Sequence, residues 1–335
     1  MPRRPPAYTP QLATLVSEAP DDDAWLHEVK YDGFRMGLVV DGDRVQLLTR
    51  NGLDWTARFP TVVADAQRLG VTSALLDGEM AFVAADGRTS FQGLQGHGSG
   101  DGSLVYFVFD LLWLDGENLA PLPLEERKAR LEALLPRRAS IFRYSPHVVG
   151  GGVAAHHDAC RHHLEGIICK RRDAPATAGR SKTWVKVKCL GRQEFVIGGF
   201  TDPQGVREGL GALLIGYYDG DQLRWAGKVG TGFTTQVARE LRERLEPLVR
   251  DASPFTPAPR GAQVKGAHWV KPVLVGEVAF TEWTAAGKIR HPSFQGLRDD
   301  KKATQVVRER PTSAPARPRT APKVTPARRS RRGNA

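Results

Sequence analysis

The chain has 335 residues, 41% of them hydrophobic, enough for real cores and, by length, for about two domains. Its net charge of +11 suits a polyanionic partner, but seven basic residues and no acid lie in 311–335, so the rest is only mildly basic. No apolar run approaches the ~18 residues of a membrane span, no apolar leader follows Met1, and three cysteines without paired spacing, Cys160, Cys169 and Cys189, read as reduced cytosolic thiols.

Residues 1–23 are proline-rich and then acidic at Asp21-Asp22-Asp23, an expected N-terminal arm. Strands are predicted at 25–30, 35–41 and 44–49. Between the first two lies Lys30-Tyr31-Asp32-Gly33-Phe34-Arg35, a turn whose glycine lets another group approach the backbone closely. A lysine does covalent chemistry only as the neutral amine, and at a pKa of about 10.4 only about one molecule in a few thousand is neutral at pH 7. Neighbouring cations, a metal or desolvation are needed to lower that pKa; the plain alternative is an exposed lysine beside a hairpin turn.

Thr49-Arg50-Asn51-Gly52 is a turn whose arginine either is solvated or reaches into a pocket, and 61–69 reads as a short helix. The apolar run 74–83 is interrupted by Asp77-Gly78-Glu79, and two carboxylates there are costly unless paired or metal-bound. A flexible Gly-rich loop follows at 93–102, and neither a P-loop nor a strand–GxGxxG–helix fingerprint occurs. The strand 104–114 sets Phe107 and Phe109 on one face, and 124–135 is a charged amphipathic helix stopped by Pro136.

In His156-His157-Asp158-Ala159-Cys160-Arg161-His162-His163, the side chains of His156, Cys160 and His163 share a helical face that suits zinc, but no fourth ligand is evident and a solvated helix is the plainer reading. Glu165-Gly166-Ile167-Ile168-Cys169-Lys170 joins an acid and a glycine to an apolar strand. Trp184 to Cys189 is a strand with Lys186 and Lys188 on one face, which would repel each other unless an anion lies between them. They are the cations that Lys30 requires. After Gly191 short strands dominate, with one helix over 235–249, as in a small barrel of the OB type. From Val307 the composition turns to Pro, Ala, Arg and Thr, so 306–335 is expected to be a disordered basic tail.

These stretches, in this order, resemble the motifs of the ATP-dependent DNA ligases, within the covalent nucleotidyltransferases. Lys30 to Arg35 is similar to the K-x-D-G-x-R motif, Asp77-Gly78-Glu79 to the acidic element and Phe109-Asp110 to the aromatic one. Glu165 to Lys170 is similar to the E-G-hydrophobic-K motif, Lys186-Val187-Lys188 to the K-x-K motif, and Arg298-Asp299-Asp300-Lys301 to the R-x-D-K end of the second domain. The match spans roughly 20–302, and Glu165 to Lys188 and His291 to Lys301 most resemble the ligase domain of bacterial non-homologous end-joining ligases. The resemblance implies an α+β chain: an adenylation domain of ATP-grasp-like antiparallel sheets at 24–190, then an OB-fold β-barrel at 191–305. A stand-alone minimal ligase is the expectation, since polymerase and nuclease modules would not fit.

It further implies that Lys30 is the nucleophile that takes AMP from ATP, passes it to the 5′-phosphate of a DNA break, and so lets the 3′-hydroxyl close the bond. Glu28 would accept from the adenine amino group, Phe109 stack on the base, and Arg35 and Arg50 meet ribose or phosphate. Glu79 and Glu165 would hold Mg²⁺ or Mn²⁺. Lys186 and Lys188 would neutralise the α-phosphate and depress the Lys30 pKa. Arg298 and Lys301 would reach the triphosphate only after the barrel closes. The implied partner is nicked or broken double-stranded DNA, with a Ku-type end-binding protein, a monomeric state and a cytoplasmic, nucleoid-associated location. RNA ligase or capping-type chemistry, and a non-catalytic OB-fold nucleic-acid-binding protein, are the competing readings.

Overall fold

The computed structural model describes residues 4–85, 87, 89, 91–94, 101–136, 140–189, 191–203 and 208–313. The first half runs β1 (Gln11–Leu15), β2 (Trp25–Val29), β3 (Phe34–Asp41), β4 (Arg44–Thr49), α1 (Pro60–Ala66), β5 (Ser73–Ala84), α2 (Phe91–Leu94), β6 (Gly102–Leu114), β7 (Glu117–Asn118), α3 (Leu124–Leu134), β8 (Phe142–Tyr144), β9 (His147–Val149), α4 (Gly152–Arg161), β10 (Gly166–Arg171) and β11 (Gly179–Lys188). The second half runs β12 (Gly191–Thr201), β13 (Ala212–Asp219), β14 (Gln222–Val229), α5 (Thr235–Leu245), β15 (Val249–Arg250), β16 (Ala267–Val270), β17 (Val275–Phe280) and β18 (Ser293–Leu297).

Two sheets make the first half. One has the order β1-β11-β10-β2-β9, the other β4-β3-β5-β6-β7 with β8 beside β6. Only β1–β11 and β6–β8 pair in parallel among these strands. The period-two pattern of β3 sends Met36, Leu38 and Val40 into a core with Leu47, Leu76 and Tyr106. Each such side chain, fully buried, contributes ~1.5–3 kcal/mol. The other sheet buries Trp25, Ile167, Val185 and Val187 with Ala159 of α4.

In the second half β12 is the long central strand. It pairs with β13 on one edge and with β17 and then β16 on the other, while β14, β15 and β18 extend the sheet. The sheet wraps Phe195, Ile197, Leu213, Ile215 and Phe294, together with Val237, Leu241 and Leu245 of α5. Thr234 caps that helix by accepting from the Val237 amide. The architecture is the expected α+β one, two largely antiparallel sheets followed by a curled β unit.

Several expectations need correction. The arm is part of the fold: β1 pairs with β11, and the Tyr8 ring lies against Gly37 with its hydroxyl donating to Asp77 at 2.8 Å. Residues 306–313, expected in a disordered tail, return to both halves. Val307 bridges to Tyr218 and Thr312 to Val16, and Val306 is buried in an apolar cluster. Buried Val306 gives this stretch an anchor that the Pro/Arg/Ala composition around it hides. The rest of the tail from 314, residues 1–3 and residues 95–100 of the Gly-rich loop lie outside the described residues.

Cys160 and Cys189 form a disulfide, against the expectation of reduced thiols, and Cys169 is a buried free thiol. The pairing joins α4 to the end of β11, a contact that sequence spacing does not reveal. The zinc trio does not form either: His163 lies beyond α4 with φ +57°, and Cys160 bonds Cys189. His156 Nε2 lies 3.4 Å from Cys160 Sγ, but both sulfurs are spent on each other. No described helix is long and apolar enough to cross a membrane.

Candidate active site

Lys30 follows β2, and its amide donates to the Gly166 carbonyl at 3.0 Å. The turn beyond it crosses β5 so closely that a Cβ on Gly33 would stand 2.0 Å from the Met80 carbonyl oxygen. Gly166 has φ +146°, and a Cβ there would stand 2.1 Å from the Val187 oxygen. The two motif glycines thus let three strand ends converge on one cavity of about 240 Å³, lined by Lys30, Glu165, Lys186 and Lys188 from the first half and by Arg298 and Lys301 from the barrel.

Lys30 Nζ lies 2.5 Å from Glu165 Oε2. Burial of the ammonium works to lower its pKa, but Glu165, with Glu79 and Glu277, outweighs it and holds Lys30 above its ordinary value. This corrects the expectation that neighbouring lysines depress it. The lysine pair is engaged elsewhere: Lys186 Nζ lies 2.5 Å from Glu309 Oε1 and Lys188 Nζ 2.8 Å from Glu309 Oε2. The anion that two parallel lysines require is therefore present and belongs to the chain itself. Burial first, then Lys188, brings Lys186 down to about 8, while the two lysines overcome burial and hold Glu309 at about 2.

At the far end of the cavity Glu28 is buried and fully engaged. Oε1 accepts from Lys128 Nζ at 2.7 Å, and Oε2 accepts from Lys170 Nζ at 2.8 Å and Ser145 Oγ at 3.0 Å. Burial alone would raise its pKa, but the two lysines bring it below the ordinary carboxylate value. A carboxylate has about four acceptor positions, so about one remains for a ligand donor. Phe109 is buried beneath two cations, with Arg35 at 4.4 Å and Lys170 at 4.2 Å from its ring centre. Its neighbour on the same face, Phe107, stacks on Tyr31 with ring centres 3.8 Å apart.

Arg35 donates twice to Asp77 at 2.6 Å, which answers the cost of that buried acid. Those donors are spent on Asp77 rather than facing a ligand. Glu79, the other acid of that run, lines the cavity and is pushed up to about 7 by burial, against Lys30 and Arg35. Arg50 also lines the cavity.

Arg298 forms two bonds of 2.8 Å to Asp300 and one of 2.8 Å to Glu277, and Lys301 Nζ lies 2.7 Å from Glu194. The Arg298 guanidinium also lies 5.2 Å from the Phe91 ring of the first half, and Asn51 donates to the Asp300 carbonyl. The barrel is thus closed over Lys30. Arg192 stands between the halves, in ionic contact with Asp32 at 2.9 Å and with Glu277 at 2.7 Å. Burial, against Arg192, pushes Asp32 up to about 7.

Sequence reasoning missed Lys128, Arg192, Glu194, Glu277 and Glu309. Only Lys128 carried a signal: Leu124, Arg127, Lys128 and Leu131 form one helical stripe, and all are buried. As donors for a divalent cation, Glu79 and Glu165 are hard carboxylate oxygens facing the lysine from different sheets. Two such groups fit Mg²⁺, which usually takes one or two carboxylates and completes its shell with water and phosphate oxygens.

The chain matches the family models for the ATP dependent DNA ligase domain over residues 9–188 and for the ATP dependent DNA ligase C terminal region over residues 206–301. The multifunctional non-homologous end joining protein LigD of Pseudomonas aeruginosa is 42% identical over 318 residues, covering 93% of this chain and 38% of that protein. The multifunctional non-homologous end joining DNA repair protein LigD of Mycobacterium tuberculosis is 39% identical over 287 residues, covering 85% of this chain and 37% of that protein. The chain therefore spans less than two fifths of the length of these relatives. A solved structure, mycobacterial DNA ligase D complexed with ATP and MES, superposes with a TM-score of 0.70 at 38% identity, covering 90% of this chain and 98% of that one.

Proposed function

The chain belongs to the ATP-dependent DNA ligase family, and from that premise we propose that it seals 5′-phosphate/3′-hydroxyl breaks in double-stranded DNA through a lysyl-AMP on Lys30. The observation that carries this reading is the placement of Lys30 Nζ in a cavity with Glu165, beside Lys186 and Lys188 and under Arg298 and Lys301. Residues 24–190 would do the nucleotide chemistry, and the barrel at 191–305 would close over it and later hold DNA.

Lys30 must lose a proton before it attacks the α-phosphate, and Glu165 is the acceptor in reach at 2.5 Å. The Lys30 nitrogen then bonds to phosphorus and pyrophosphate leaves. Lys186 and Lys188 neutralise charge on the phosphate, while Arg298 and Lys301 orient the departing pyrophosphate. Phe109 and Glu28 serve the base end, and Arg35, through its pairing with Asp77, stiffens the wall beside Phe109. Mg²⁺ or Mn²⁺ held by Glu79 and Glu165 would supply further charge neutralisation at the phosphates. The end-joining setting follows the names of the relatives, and a Ku-type end-binding partner is part of the proposal.

The test is incubation with α-labelled ATP and Mg²⁺ beside Lys30→Ala, followed by a denaturing gel. Acid-labile, alkali-stable label on the wild type alone supports the reading. No label after pyrophosphate pretreatment overturns it, and label from GTP instead points to capping-type chemistry.

A further inference from the structure

Glu309 lies in the segment 306–313, which runs from the barrel back to the first sheet. Both ends of that segment are tied, at the Val307–Tyr218 and Thr312–Val16 bridges. Between them the Glu309 amide donates to Gln193 Oε1 at 3.0 Å, and Gln193 Nε2 donates to the Val307 carbonyl at 3.0 Å. The backbone is thus held so that the side chain points at Lys186 and Lys188, one carboxylate oxygen to each. An anion shared by two ammonium groups at hydrogen-bond distance is also how lysines hold a phosphate. Glu309 and a nucleotide phosphate cannot both occupy that position.

Resting on the adenylation reading, we propose that Glu309 is a positioning residue for this reaction: it holds Lys186 and Lys188 as a stand-in for the nucleotide phosphate and is displaced, with its segment, when ATP binds. Two physical points support this. The paired lysines share one face of β11 and would repel each other without it. Its charge is also secure, because Lys186 and Lys188 hold the carboxyl well below its ordinary range against the opposing effect of burial. Glu309 therefore keeps the lysines oriented and at the same time competes with substrate.

Glu309→Gln keeps the shape and removes the charge. Initial rates of self-adenylation against ATP concentration, in the full chain at fixed Mg²⁺, should show KM for ATP lower by roughly tenfold, the order of one charge-assisted hydrogen bond. The limiting rate should stay within about twofold. An unchanged or raised KM in a variant that still takes label overturns the proposal, as does a fall in limiting rate alone, which would give Glu309 a part in the chemistry. A second measurement needs no variant. A glutamate-specific protease cuts after Glu309 and releases 310–335, detected by mass. A non-hydrolysable ATP analogue should speed that cut in the wild type and in Lys30→Ala, and a cut that is slowed or unchanged overturns displacement. A wild type that takes no label from ATP overturns the underlying reading instead, so the two failures are distinguishable.

Discussion

Replacing Glu28 by Gln removes the carboxylate that bonds both ammonium groups of a buried knot, Lys128 and Lys170. Glu28 is 3% exposed, and Lys128 and Lys170 are each 1% exposed, so water cannot take over the lost role. Breaking a buried pair by removing one partner costs ~3–5 kcal/mol. Lys128→Met should cost less, because it leaves Glu28 and Lys170 as a one-to-one pair and removes one charge-assisted bond, worth ~1.5–3 kcal/mol. Urea unfolding at pH 7 should rank Glu28→Gln below Lys128→Met, and both below wild type. The pH dependence sharpens the test. Lys170 is already lowered to about 8, by burial, with Glu28 opposing the shift. Without Glu28 its folded pKa falls further below the unfolded value of about 10.4. The unfolded chain then binds more protons across that interval, so stability rises with pH and the deficit of Glu28→Gln should shrink between pH 7 and 9. A deficit that widens with pH, or a larger loss from Lys128→Met, would refute the view of Glu28 as the charge that holds the knot together.

Lys301→Ala should slow self-adenylation more than sealing of pre-adenylated nicked DNA, because its Nζ reaches the cavity only through the closed barrel; equal effects on the two steps would count against this. Gly33→Ala should lower both self-adenylation, by more than about tenfold, and the urea midpoint, since its Cβ would stand 2.0 Å from the Met80 carbonyl oxygen and strain of that kind costs ~1–3 kcal/mol or more; a fully active, equally stable variant would show that the crossing is not tight. Asp32, pushed up to about 7 chiefly by burial, keeps a proton in the fold that the unfolded chain gives up near pH 3.9. Its contribution is complete below that value and lost as pH rises through about 7, so the wild-type midpoint should gain more than Asp32→Asn between pH 8 and 5; parallel curves would remove Asp32 from the account.

The parts of the site that were legible from sequence are those written in local patterns. The period of two put Lys186 and Lys188 on one face and Phe107 beside Phe109, and the short interval from Lys30 to Gly33 announced a close backbone crossing. The order of strands and helices was likewise local. What stayed hidden depends on partners far apart in the chain. Arg192 and Glu277 look like ordinary polar positions of barrel strands until the fold sets them against Asp32. Arg127 pairs with Asp110, and Lys128 with Glu28 a hundred residues away, so a helix that reads as charged and amphipathic turns two of its cations inward. The Cys160–Cys189 bond and the return of 306–313 were missed for the same reason: each is a contact between elements, with no trace in either element alone.

Among the described residues the cavity gathers ten cationic and seven anionic side chains, and that balance decides how a triphosphate can bind. Lys30 is matched by Glu165, Lys186 and Lys188 by Glu309, Arg192 by Asp32 and Glu277, and Lys301 by Glu194. A nucleotide entering such a site exchanges one set of anions for another rather than capturing bare charge. Its net gain per contact is therefore far below the Coulomb energy of the pairs formed. The exchange has a direction, because the internal acids are unevenly placed. Glu165 belongs to the first half, whereas Glu194 and Glu277 are carried by the barrel and Glu309 by the segment that follows it. Phosphate oxygens that take Lys186 and Lys188 from Glu309, or Arg298 and Lys301 from Glu277 and Glu194, replace contacts that belong to the barrel or to the segment behind it. In the proposed reaction, those contacts would re-form or the barrel would move away once pyrophosphate has left, and nucleotide transfer to Lys30 would be linked to opening of the barrel toward DNA through the same few ion pairs.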